Sequence, residues 1–207
     1  MKIKFPEVAS FASLLLCGFL LGGCGAARPT QYYQLSVPAD LSQSPANTTG
    51  ISLALGPLVS SHLYREDRIV YSAGPEQMGT YEYKRWTEPP AEMIDEVLLR
   101  ELRASGRYRE VSSQRSGSHA DYVLRGHLYD FKEITGASLA ARVTLEFELR
   151  DVKSGSTVWS HFYSHDEPVS GKDVPAMVAA IDHNVQRGIG EVKNSLEQYF
   201  STASSNK

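Results

Sequence analysis

Arg142 to Arg150 reads RVTLEFELR, and the alternation in this stretch decides the fold. Val143, Leu145, Phe147 and Leu149 point one way; Thr144, Glu146, Glu148 and Arg150 point the other. A period of two is that of a strand, and one apolar face beside one polar face belongs to a sheet covered on a single side, as antiparallel sheets commonly are. Downstream, Lys153-Ser154-Gly155 turns the chain into a second strand, Thr157 to Ser164, which is a hairpin signal. Upstream, Tyr122 to Ile134 reads as a long strand.

Something must cover the apolar face. Near the C-terminus Asp173 suits a helix N-cap, with Pro175 in the first turn. Met177, Ile181, Val185, Ile189, Val192, Leu196 and Tyr199 then make one apolar stripe at steps of three and four. Gly188 and Gly190 lie inside it and weaken it by about 1 kcal/mol each, a cost consistent with close approach to the sheet or to another chain. A second helix begins at Pro89-Pro90, runs through Ile94, Val97, Leu98 and Leu102, and stops near Gly106.

The remaining strands are shorter. Tyr32 to Leu35, Ile51 to Val59 (interrupted by Gly56-Pro57), Arg68 to Ser72, Thr80 to Trp86 and Tyr108 to Val111 are candidates. Pro38 to Gly50 and Ser112 to His119 read as loop and turn. The expected fold is α+β: a single domain, with a mainly antiparallel sheet and two substantial helices packed on it.

The N-terminus is a different kind of segment. Lys2 and Lys4 precede an uncharged run, FASLLLCGFLLGG, from Phe11 to Gly23. A spanning helix needs roughly 20 apolar residues, so this shorter run fits the core of a signal peptide. It ends in Leu21-Gly22-Gly23-Cys24, which resembles the lipobox of bacterial lipoproteins. The resemblance implies cleavage before Cys24, with S-diacylglycerol on its thiol and an N-acyl chain on its new amino group. It implies no other cofactor. Gly25, where an Asp would favour retention in the inner membrane, implies the periplasmic face of the outer membrane. A triacyl anchor of about 14 methylenes per chain is worth on the order of 30 kcal/mol if fully buried. The chain divides into a signal peptide (1–23), a lipidated tether (24–31), a folded domain (32–200) and a disordered tail (201–207).

Removing 23 of the 207 residues leaves 184, and the loss of Lys2, Lys4 and Glu7 moves the net charge from −3 to −4. A mildly acidic domain lacks the basic footprint of a nucleic-acid binder. Of two cysteines, Cys17 leaves with the signal and Cys24 is acylated, so thiolate metal sites, disulfides and cysteine catalysis are excluded.

Catalytic signatures are missing too: the sequence holds no G-x-S-x-G elbow, phosphate-binding loop, dinucleotide fingerprint or H-E-x-x-H. His161 and His165 would stand about 13 Å apart along a strand, too far to share a metal, and read as polar side chains on a wet face. Asp166-Glu167 precede Pro168, which marks a loop. No catalytic or metal site is expected. Most strand aromatics should be core, but Tyr81, Tyr83, Arg85 and Trp86 form the best candidate surface for a partner or lipid, because Tyr and Trp suit half-wet interfaces.

The stretch Ile69 to Leu102, IVYSAGPEQMGTYEYKRWTEPPAEMIDEVLLREL, resembles the ABC-type transport auxiliary lipoproteins. Its core is Arg85-Trp86-Thr87-Glu88-Pro89, leading into an amphipathic helix. Tyr32, Tyr33 and Leu35 match the family's opening and the C-terminal helix its end. Thr87 and Pro90 depart from the Ala and Leu expected there. The resemblance implies an outer-membrane component of a mammalian-cell-entry (MCE) type lipid transport system. Its partners would be an MCE-domain periplasmic protein and other copies of itself in a homo-oligomer. A structural or assembly lipoprotein of the cell envelope is the alternative, and neighbouring transport genes would separate the two.

Overall fold

The computed structural model describes residues 28–37, 49–74, 76–114, 119–136 and 138–205. Among them the elements run β1 (Gln31–Tyr33), β2 (Ser52–Ser60), β3 (Arg68–Gly74), β4 (Gln77–Trp86), α1 (Pro90–Ala104), β5 (Glu110–Ser113), β6 (Tyr122–Ile134), β7 (Ala140–Asp151), β8 (Thr157–Pro168) and α2 (Val174–Ser205). A 3-10 turn at His62–Tyr64 links β2 to β3.

All eight strands join one mixed sheet. β6 is its hub. One edge of β6 pairs antiparallel with β7 along its whole length. The other edge is shared, parallel to β2 over Tyr122–Leu128 and to β3 over Lys132–Ile134. β8 continues antiparallel from β7, β4 folds back on β3, and β1 and β5 add short parallel edges. The long ladders are antiparallel, as the alternation in β7 implies. The parallel pairings are shorter ladders between strands that are not consecutive in sequence.

The apolar face of β7 is fully covered: Val143, Leu145 and Leu149 are all at 0 % exposure. α2 lies over β7 and β8 and buries Met177, Ile181, Val185, Ile189, Val192 and Leu196 there. Each such side chain contributes roughly 1.5–3 kcal/mol by leaving water. α1 covers β2 and β5 on the same face with Ile94, Val97, Leu98 and Leu102. The two helices meet where Lys193 Nζ donates to Glu101 Oε2 at 2.9 Å.

Local chemistry sets the boundaries. Asp173 Oδ1 accepts the Ala176 N–H at 2.9 Å, the expected N-cap. Gly106 takes φ +61 after α1, a conformation that favours glycine and ends the helix. Gly56-Pro57 does not break β2. It makes a register shift between Leu55 and Leu58, so the missing N–H of Pro57 falls outside the ladder.

Two boundaries differ from expectation. α2 runs on to Ser205, through much of the segment expected to be a disordered tail; Ser201 and Thr202 return their hydroxyls to the Glu197 and Gln198 carbonyls at 2.8 and 3.0 Å. β8 continues through Asp166-Glu167 to Pro168. Proline is tolerated there because β8 is an edge strand and Pro168 is its last residue.

Candidate functional site

Cys24 and the rest of the lipobox lie outside the described residues. The aromatic patch at the end of β4 is described, and the structure separates its members. Trp86 is 1 % exposed and packs edge-on against Phe131 with ring centroids 5.2 Å apart. It is core, so Trp86 is corrected from surface candidate to structural residue. Tyr81 is half-buried, T-shaped on Tyr71, and its hydroxyl donates to the buried Glu133 Oε2 at 2.6 Å. Burial, then that bond, push its phenol far above the ordinary value. Arg85 is tied to Asp67 Oδ1 at 2.6 Å. Tyr83 alone of the four is exposed, and its phenol is raised chiefly by a hydrogen bond with Glu82. A simple alternation along β4 misassigns these faces, because β4 places Thr80 to Arg85 against only Val70 to Arg68 of β3. The extra residues bulge and turn the following side chains.

The residue that completes an exposed aromatic surface is Tyr32, 61 % exposed on β1 and paired in register with Arg85. Its neighbours are organised: Lys84 donates to Gln31 and stands 5.9 Å from the centroid of Tyr33. In the sequence Tyr32 reads as a strand residue and as part of the family's opening; its place two strands from the core is set by the non-local pairing of β1 with β4.

A second cluster lies between β8 and α2. Glu167 Oε1 accepts from His183 Nδ1 at 2.9 Å, Arg187 stands in ion-pair contact with Glu167 Oε2 at 3.0 Å, and Arg187 donates to His165 Nε2 at 2.9 Å. Desolvation pushes the Glu167 carboxyl up, but the His183 bond and the Arg187, His183 and His165 charges outweigh it and hold it below its usual range. Beneath it Asn184, at 0 % exposure, donates to the carbonyls of Ala141 and His165 and accepts from the Tyr163 hydroxyl at 2.5 Å. Burial lifts the Tyr163 phenol to about 12. His165 therefore lies on the α2 side of β8, and His161 stacks on Trp159, whose Nε1 donates to Ser195 of α2 at 3.2 Å. The arrangement ties strand to helix.

The helix-free face of the sheet is wet and charge-paired. Arg142 grips Asp166 through two bonds of 2.6 Å, Arg125 meets Glu148 at 3.4 Å, and Tyr129 donates to Glu146 at 2.6 Å. Phe162, 62 % exposed, and Val59 stand at the ends of one cross-strand row through His127 and Glu146. A shallow cleft of about 420 Å³ opens beside Val59, Arg125 and Glu148. Among the described residues no group of three or more His, Cys, Asp or Glu could hold a metal ion, and no helix is long and apolar enough to cross a membrane.

The chain has clear relatives in fold. A Xanthomonas campestris protein of the DUF330 family superposes with a TM-score of 0.75 at 19% identity, covering 85% of this chain and 99% of that one. A second, uncharacterized protein gives a TM-score of 0.65 at 13% identity, covering 82% of this chain and 99% of the other. At these identities the likeness is one of fold. A search of curated proteins found no match. The family model for the ABC-type transport auxiliary lipoprotein component matches residues 33–192, from the last residue of β1 well into α2. The chain belongs to the family of ABC-type transport auxiliary lipoprotein components.

Proposed function

We propose that this protein is an outer-membrane-anchored periplasmic lipoprotein that acts as the non-catalytic docking component of an ABC/MCE-type lipid transport system. The observation that carries the proposal is the lipobox, Leu21 to Cys24, placed just ahead of a domain that belongs to an ABC-transport auxiliary family. Gly25 supports the outer-membrane address. ATP hydrolysis belongs to another subunit, since the chain has no phosphate-binding loop. The acyl groups on Cys24 fix the address, and the rigid sheet presents surfaces to an MCE-domain protein and to other copies of the chain. Multiple acyl chains make release negligible, so the partner meets a fixed post instead of a diffusing one.

The test is co-purification from membranes solubilised in mild detergent. An MCE-domain protein should come down with the wild-type chain, and palmitate should label the wild-type chain. A Cys24→Ser form should lose the label and leave the outer-membrane fraction. Failure to recover any MCE-domain or transporter subunit from intact envelopes would sink the docking role.

A further inference from the structure

We infer that the β1–β4 edge of the sheet is the surface that rests on the membrane, with Tyr32 and Tyr83 seated among zwitterionic lipid headgroups. The inference rests on acylation of Cys24, proposed above, and deepens it by naming which face of the domain meets the bilayer.

Chain length supplies the first argument. Six residues lie between Cys24 and Gln31, the first residue of β1, and the seven backbone steps reach about 25 Å even when fully extended. A random chain of that many steps averages roughly 15 Å from end to end. The sheet is wider than this: β8 lies five strand spacings from β1 along β4, β3, β6 and β7, or about 24 Å. A short tether entering at one edge keeps that edge nearest the bilayer.

Side chains supply the second. Tyr32 is 61 % exposed and Tyr83 36 %, on adjacent strands at the edge where the tether enters. A tyrosine at a bilayer surface can bury its ring and leave its hydroxyl in water. Charge supplies the third. Lys84 and the exposed Glu82 offset one another, Arg85 is neutralised by Asp67, and the exposed Arg28 of the tether leaves a single positive charge at this edge. A nearly neutral edge suits zwitterionic headgroups and gives little attraction to anionic ones, so added salt should not displace it. Phe162, equally bare, stands on the far edge strand and serves as the internal control.

The test uses the full lipidated chain. Its two cysteines are Cys17, lost with the signal, and Cys24, acylated, so an introduced cysteine is the only free thiol. Tyr32→Cys, Tyr83→Cys and Phe162→Cys are made separately, labelled with a small fluorophore, and reconstituted into phosphatidylethanolamine vesicles carrying a nitroxide on the headgroup. The labels at positions 32 and 83 should lose about half their emission or more, the label at 162 almost none, and high salt should not restore it. Vesicles that float with bound protein while all three labels stay equally bright overturn the inference and leave the anchor standing. Quenching that salt abolishes also overturns it, because charge and not ring seating then holds the edge. Protein that fails to float, with no palmitate label, overturns the anchor and this inference together.

Discussion

Glu167 shows how one side chain fixes the relation of strand to helix. Its carboxylate is mostly covered, and it faces His183, Arg187 and His165 across the junction of β8 and α2. Because its folded pKa lies below the ordinary 4.5, it binds its proton more weakly when folded than when unfolded. Its contribution is therefore present above about pH 4.5 and is lost as pH falls through the lowered folded value. Asp166, held down by its hydrogen bond from Arg142, adds to the same acid limb. Glu167→Gln should cost about 1 kcal/mol at neutral pH, a charge-assisted bond reduced by solvent screening. It should also flatten the fall in stability below pH 4.5. Urea midpoints of both proteins across pH 3 to 7 check this; parallel curves would show that the cluster does not couple to folding.

Helix α2 carries two glycines that look alike in sequence and differ in structure. A Cβ on Gly188 would lie 2.7 Å from the Tyr163 ring, whose hydroxyl is already committed to Asn184. Gly190 has nothing within 4 Å of the same position. Gly188→Ala should therefore destabilise by about 1–3 kcal/mol through overpacking, more than its helix propensity returns. Gly190→Ala should stabilise by about 0.5–1 kcal/mol, the ordinary gain of alanine inside a helix. Equal shifts in thermal midpoint for the two would refute this reading of the helix–sheet contact. Which glycine touches the sheet is illegible in the sequence, since both interrupt the stripe. What is legible is whatever one element determines alone: the alternation of β7, the stripe of α2, the Asp173 cap and the Gly106 stop all stand where the residues put them. What depends on a partner strand is not. The β4 bulge hid the burial of Trp86, the edge position of β8 let it run to Pro168, and the pairing of β1 with β4 brought Tyr32 beside Tyr83.

At the scale of the whole molecule, β1 belongs to the folded domain. Residues from Gln31 onward form one compact unit. The stretch just after β1 is built into it: Leu35 is 2 % exposed, the Ser36 N–H donates to Asp182 at 2.9 Å, and Gln186 donates to the Ser36 carbonyl at 2.7 Å. β1 itself covers the edge of β4, and the Tyr33 carbonyl accepts the Thr87 N–H at 2.8 Å. A chain beginning at Gln31 should thus unfold at the same urea midpoint as one beginning at position 24 and carrying Cys24→Ser, because neither loses a contact of the folded unit. A chain beginning after Val37 loses the burial of Leu35, the hydrogen bonds to α2 and the cover on β4, and should be about 2–4 kcal/mol less stable. If that longer deletion left the midpoint unmoved, β1 would be part of the tether and not of the domain. The reach of the anchor would then extend past Val37, and no edge of the sheet would be held closer to the membrane than another.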